Sequence, residues 1–287
     1  MAGPNPTLRR RQLANRLREL RQSKGMTIDE VAERLLVSAA KISRMETAKR
    51  GASLRDVRDL CQIYGVTDQP EIDALLTLAR EANQPGLRAE HTSESDLAKF
   101  GPFADLEAAA ESVTEFQSTA VPSLLQTEHY ARALIRGVLP QISTTVLEAR
   151  VAARMERKAR IMQDGVPRYW AIFDEAALRR VVGDQSVLAE QLGHLIELAE
   201  QPNILIQVVP FEIGAYMSLD NSFVYFEFAD PAVNDIVYLE GLNSADYLEK
   251  VTDLRIYREA VEHLRATALA PKRTTELIAR IRASQPG

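Results

Sequence analysis

The sequence predicts two domains of different class. An all-α N-terminal domain of five short helices spans residues 1–82, and an α+β C-terminal domain with a small, mainly antiparallel sheet spans 106–287. Three observations predict this. Up to residue 82, apolar residues recur at helical spacing in five short stretches, most of them opened by a capping side chain or a proline. From residue 106 onward, short runs rich in β-branched and aromatic residues alternate with longer amphipathic stretches. Between the two, residues 83–105 open on NQPGLRAEHTSESD, a polar stretch with Pro85 and Gly86 that reads as a linker.

The first helix is expected over residues 8–23, with Leu13, Leu17 and Leu20 as its buried stripe. Arg9, Arg10, Arg11, Arg16, Arg18 and Arg21 crowd its other sides, and Gly25 supplies the left-handed turn that stops it. Residues 27–46 read TIDEVAERLLVSAAKISRME. Thr27 and Glu30 have the capping-box spacing, and Ile28, Val31, Ala32 and Leu35 then share one face. Ala32 is small where two helices must cross closely. Ser38 caps a second short helix that buries Ile42 and Met45 and leaves Ala39, Ala40, Lys41, Ser43 and Arg44 outward. Glu46, a carboxylate on an otherwise basic helix, is read as the partner of a first-helix arginine. Two short helices around a tight turn, the second with a basic outer side, form a helix-turn-helix; its second helix enters the major groove of DNA.

Residues 47–52 (TAKRGA) follow as a basic turn carrying Lys49 and Arg50. Ser53 and Asp56 cap a fourth helix whose inner face is Leu54, Val57, Leu60, Cys61 and Tyr64, and Gly65 ends it. Pro70 opens a fifth helix reaching about Ala82, with Ile72, Leu75, Leu76 and Leu78 apolar. Cys61, the single cysteine, reads as a core residue, and one cysteine excludes a disulfide framework within the chain.

The net charge of −5 is at odds with binding a polyanion, but the distribution reverses that. Residues 1–66 hold 14 Lys and Arg against 7 Asp and Glu, a balance of +7, whereas the remainder holds 21 against 33, a balance of −12. Only the contacting surface has to be basic. No run approaches 18 apolar residues, and the N-terminus lacks the apolar core of a signal peptide, so a cytoplasmic protein is expected.

The N-terminal pattern resembles the Xre/Cro/lambda-repressor helix-turn-helix domain. The likeness rests on the spacing of Thr27, Ala32, Val37, Ser38, Ile42, Ser43 and Glu46, on the basic turn and on the next capped helix. The resemblance implies that Ala39, Ala40, Lys41, Ser43 and Arg44 face base edges or the phosphates beside them, and that Thr27, Ser38, Lys49 and Arg50 bind phosphates. Ala39 and Ala40 offer only apolar contact to a thymine methyl, which leaves Lys41 and Arg44 as direct readers, with guanine O6 and N7 the natural acceptors for Arg44. Two positions depart from the family pattern: Leu36 stands where glycine is usual in the turn, and Ile28 replaces a frequent glutamine that contacts phosphate.

In the second half, residues 106–125 read as a strand followed by a turn at Pro122, residues 127–137 as a helix, and 143–164 as a longer helix. RYWAIFD (168–174) is a strand, 175–182 a short helix and 184–201 an amphipathic helix. NILIQVV (203–209) reads as a strand buried on both faces, and NSFVYFEF (221–228) and DIVYL (235–239) as further strands. Helices are expected over 251–268 and from Pro271.

The series VPSLLQTEHYARALI, EARVAARMERKARI, WAIFDEAALRRVVG, LAEQPNILIQVVPF and VYLEGL resembles an uncharacterised domain that follows a helix-turn-helix in many actinobacterial regulators. These include WhiJ-like developmental regulators and antitoxin-like regulators. The resemblance implies a regulatory and assembly module, often encoded beside a small partner protein, and supplies no catalytic residues. Tyr216 departs from it, in a loop where histidine is common.

Other features read more plainly. Arg150, Arg154, Arg157 and Lys158 form a basic stripe that suits DNA flanks or an acidic partner, although a solvated face beside Glu148 and Glu156 fits better. Trp170 and Phe173 are core before they are a ligand box, and Asp174 beside Glu175 is a helix cap before it is an acid/base pair. Residues 210–220 line a pocket or dimer surface, or simply connect two strands. His129, His194 and His263 have no ligand spacing, and no glycine-rich phosphate loop or GxSxG elbow is present.

The sequence bears on three functions. The first is a sequence-specific transcriptional regulator that binds double-stranded DNA as a homodimer, its C-terminal domain sensing a signal or partner. The second is an antitoxin-like protein whose main role is to hold a small neighbour-encoded partner. The third, an enzyme, has nothing at catalytic spacing in its favour. No cofactor, metal or membrane is expected.

Overall fold

The computed structural model describes residues 5–83, 102–162, 167–230, 233–241 and 244–285, together with the backbone of 94–101. The chain divides into two compact units, Met1–Arg88 and Ala89–Gly287.

The first unit holds five helices: α1 (Pro6–Ser23), α2 (Ile28–Leu35), α3 (Ala39–Glu46), α4 (Leu54–Ile63) and α5 (Gln69–Ala82). Each begins at a side-chain cap, namely Asn5, Thr27, Ser38, Ser53 and Asp68. The first four orphan N–H groups of a helix need such partners, which is why these residue types mark the starts. One core joins all five, with Leu13 and Leu17 of α1, Val31 of α2, Ile42 and Met45 of α3, Val57, Leu60 and Cys61 of α4 and Leu75 and Ala79 of α5 all buried.

Three helix ends close in the same way. Met26, Val37 and Val66 donate their N–H groups to the carbonyls of Arg21, Ala32 and Cys61, and the residue before each adopts a left-handed conformation. Two of those residues are glycines, Gly25 and Gly65. The third is Leu36, at φ 58° and ψ 44°, with its side chain 91% exposed. A left-handed leucine costs on the order of 1–2 kcal/mol, and here no burial offsets it.

The second unit begins with α6 (Glu94–Ala109), which runs through the later part of the 83–105 segment read as a linker. Most of the remaining polar stretch, residues 84–93, lies outside the described residues. Then follow β1 (Ser112–Gln117), α7 (Glu128–Val138), α8 (Thr144–Ile161), β2 (Arg168–Asp174), α9 (Glu175–Arg179), α10 (Gln185–Leu198) and β3 (Ile204–Val209). The chain continues through β4 (Phe223–Glu227), β5 (Ile236–Glu240), β6 (Ala245–Leu248), α11 (Val251–Thr267) and α12 (Pro271–Ala283).

These strands form one sheet in the order β3-β2-β1-β4-β5-β6. The expected small, mainly antiparallel sheet is therefore corrected to a mixed sheet of six strands. β1 pairs parallel with β2 and β2 parallel with β3, while β4, β5 and β6 complete the sheet antiparallel. The cause lies in the connections. α7 with α8, and α9 with α10, are crossovers long enough to return the next strand in the same direction, which a hairpin cannot do. The first run read as strand, 106–125, yields only Ser112–Gln117, with α6 occupying its first part.

One face of the sheet packs Phe116, Ile172, Val209, Phe223 and Val237 against Leu254, Val261 and Leu264 of α11. Trp170, on that face, donates Nε1–H to Gln207 Oε1 at 2.8 Å and carries the Arg265 guanidinium 3.8 Å above its ring. Asp174 caps α9, accepting from the Ala176 N–H at 2.7 Å, and Tyr216 donates its hydroxyl to the other oxygen of Asp174 at 2.7 Å. That bond fastens the 210–220 connection, which leaves Phe211 and Ile213 exposed.

The basic stripe on α8 is not a solvated face. Arg157 forms a two-pronged pair with Glu107 at 3.0 and 2.7 Å, their side chains 17% and 7% exposed, and lies over the ring of Phe103. Arg154 donates to Gln126 Oε1, and Lys158 to the Gln126 carbonyl at 2.9 Å. Burial pushes the Arg154 guanidinium down to about 10 and lowers the Lys158 ammonium as well. Among the described residues, no helix is long and apolar enough to cross a membrane.

Candidate nucleic-acid interface

The site is built on α3. Ser38 caps it by accepting from the Lys41 N–H at 3.3 Å, and Ile42 and Met45, 1% and 2% exposed, root it in the core. Its last residue fixes it to α1. The Glu46 carboxylate receives Arg21 Nε at 2.7 Å and Nη2 at 2.9 Å, while Arg18 donates to the Glu46 carbonyl. Arg21 also donates to the Met26 carbonyl at 2.7 Å, so one guanidinium ties three segments together. The hydrogen bonds that Arg21 donates to Glu46 hold its guanidinium above the ordinary arginine range. Glu46 is thus the structural residue its charge suggested.

The other arginines of α1 are largely committed within the unit. Arg9 pairs with Glu81 at 2.9 Å, Arg10 donates to the Ala82 carbonyl at 3.1 Å, and Arg16 pairs with Glu71 and Glu19. The surplus of +7 over residues 1–66 therefore overstates what is free to meet a partner, and the cations of α3 and its following turn matter most.

There, Arg44 is exposed, and its guanidinium has no hydrogen-bond or ion-pair partner among the described residues. Ala40 is exposed beside it, and Ser43 is half-buried. Ala39 is half-buried too, packing on the core as well as facing out. The turn that follows folds back on the helix end. Thr47 donates its hydroxyl to the Ser43 carbonyl at 2.8 Å, Ala48 takes a left-handed φ of 56°, and the Arg50 N–H reaches the Arg44 carbonyl at 3.0 Å. Lys49 and Arg50 are exposed on it. Ser38 at the cap and Ala40, Ser43 and Arg44 of α3 thus stand with Lys49 and Arg50 just beyond its end.

Two of the sequence-predicted residues are placed differently. Lys41 is turned away from the free outer side: its Nζ donates to Asp56 Oδ1 of α4 at 2.6 Å, with side chains 20% and 16% exposed. Thr27 is occupied by its capping box, since both its N–H and its hydroxyl donate to Glu30 Oε2, at 2.7 and 3.0 Å. Those two bonds hold the Glu30 carboxyl below its ordinary range. A phosphate at Thr27 has to displace that carboxylate.

Asp56 is the residue that sequence reasoning missed. The Ser53-to-Asp56 spacing marked it as a cap, which it is: Oδ2 accepts from the Ser53 N–H at 3.1 Å and from the Ser53 hydroxyl at 2.9 Å. Its second oxygen holding Lys41 carries no signal in spacing. Burial pushes Asp56 upward, but Lys41 and Ser53 outweigh it and leave the carboxyl below the usual range.

A core-rooted second helix with an exposed basic side, joined by a tight turn to α2, defines the helix-turn-helix class of DNA-binding regulators. Residues 12–75 match the family model described as a helix-turn-helix domain. The model described as Domain of unknown function (DUF5753) matches residues 100–280, more than half of the chain, and the chain belongs to that family. No curated protein and no solved structure matches it.

Proposed function

We propose that the protein is a sequence-specific transcriptional regulator of the Xre/Cro/lambda-repressor type, in the manner of actinobacterial WhiJ-like regulators, acting in the cytoplasm as a homodimer on double-stranded DNA. The observation that carries this is the unpaired, exposed Arg44 guanidinium on a capped and core-anchored α3. Arg44 reads guanine O6 and N7; Ser38, Ala39, Ala40 and Ser43 contact bases or the adjoining phosphates; Lys49 and Arg50 bind phosphate. Thr27 joins them where a phosphate displaces Glu30. An eight-residue helix is only about 12 Å long, so one copy contacts few base pairs. Two copies on half-sites about 34 Å apart supply the missing discrimination.

The second unit senses a signal or a small partner protein encoded by a neighbouring gene, and no catalysis is assigned to it. In the alternative, antitoxin-like reading, holding that partner is the main task. Residues 89–287 hold 19 Lys and Arg against 29 Asp and Glu, a balance of −10 that favours a basic partner. Co-purification after co-expression with the neighbouring reading frame tests that arm. For DNA, a gel shift with the upstream region over a salt series should show tight binding that weakens steeply with salt and survives scrambled competitor. Binding that ignores sequence at every salt concentration refutes the regulator reading.

A further inference from the structure

We infer that Asp56 is a specificity-determining residue: by holding the Lys41 ammonium against α4, it leaves Arg44 as the one long cationic side chain of α3 free to read bases. The inference rests on the DNA-binding reading proposed above. Lys41 and Arg44 are three positions apart, which makes them neighbours on one side of a helix. Arg44 is exposed and unpaired, whereas Lys41 Nζ sits 2.6 Å from Asp56 Oδ1. Asp56 cannot follow the lysine outward, because its other oxygen is bound by the Ser53 N–H and hydroxyl at the start of α4. The two oxygens have separate tasks, and both are filled.

The reason such restraint matters lies in the chemistry of the two cations. Arginine presents a planar fork that matches the two acceptors of guanine, while lysine is a compact charge on a flexible stem that accepts any acceptor in reach. Released beside Arg44, Lys41 gains whichever phosphate or base edge comes within reach. Affinity for all duplexes then rises and the distinction between them falls. Asp56 trades that indiscriminate contact for a fixed α3–α4 junction.

The test uses the full chain in three forms: wild type, Asp56→Asn, and the double variant Lys41→Met with Asp56→Asn. Each is titrated over a salt series on the duplex that the wild type selects and on a scrambled duplex of equal length. Asp56→Asn is expected to bind the scrambled duplex several-fold tighter, with a log–log salt slope steeper by about 0.9, one phosphate contact. Its ratio of selected to scrambled affinity falls several-fold. The double variant, lacking the ammonium, returns slope and ratio to the wild-type values. A folded Asp56→Asn with wild-type slope and ratio overturns the inference. So does a double variant that keeps the tighter scrambled binding, since lost carboxylate repulsion then explains it. Should Asp56→Asn fail to fold, the double variant decides alone: selection of a different base from a random pool overturns the inference, and selection of the wild-type base supports it. Wild-type binding without sequence preference overturns the DNA reading itself.

Discussion

Lys41 and Arg44 leave the same short helix with the same charge and meet different surroundings. The nearest carboxylate to Lys41 comes from α4, 15 positions later, and takes the ammonium at 2.6 Å. Arg44 meets none among the described residues. Arg44→Ala should therefore lose about 1–3 kcal/mol of discrimination at one base pair, roughly 5- to 150-fold, in competition gel shifts. Lys49→Ala and Arg50→Ala should instead weaken all duplexes alike, each lowering the salt slope by about one unit. Glu46 belongs to stability. Its removal strands the Arg21 guanidinium, only 12% exposed, without its two-pronged partner. Glu46→Ala should cost about 3 kcal/mol or more in urea unfolding, and a variant that unfolds at the wild-type midpoint would refute that role.

At the scale of the element, most of the helical unit was legible in the sequence, because its boundaries are local chemistry. Thr27 with Glu30, Ser38, and Ser53 with Asp56 mark helix starts by side-chain oxygens that satisfy backbone N–H groups a few residues away. Leu36 is marked by the family resemblance instead, since it stands where glycine is usual in the turn. Its left-handed backbone and 91% exposure predict that Leu36→Gly raises the urea midpoint. About 1 kcal/mol of strain is relieved, and the greater freedom of glycine in the unfolded chain offsets part of it. The α3–α4 junction has a pH signature. Asp56 titrates below its unfolded value, so its ionised form contributes stability that is complete above the ordinary carboxylate range and is lost as pH falls through the lowered value. The melting-temperature advantage of wild type over Asp56→Asn should accordingly shrink below about pH 4. An advantage that persists unchanged to lower pH contradicts it.

At the scale of the molecule, sequence was a weaker guide, for a physical reason. RYWAIFD and NILIQVV announce strands, but nothing in a strand records the direction of its neighbour. Direction is set by the crossover that separates them, and reading the α7–α8 and α9–α10 stretches as plain helices missed the parallel half of the sheet. β6 escaped because four residues, ADYL, are too short to show a period. The α8 stripe was misjudged because exposure is a tertiary property: Glu107 and Gln126, distant in sequence, draw Arg154, Arg157 and Lys158 inward. The division of charge, +5 over residues 1–88 against −10 over 89–287, is the molecule-wide signal, and it fits a polyanion meeting the first unit. The most direct test selects duplexes from a randomised pool with the full-length wild type and with Arg44→Ala side by side. The wild type should enrich a two-fold-symmetric sequence with half-sites about one helical turn apart and a guanine in each that the variant no longer requires. A wild type that enriches no sequence, or a variant that enriches the same guanine, would contradict it.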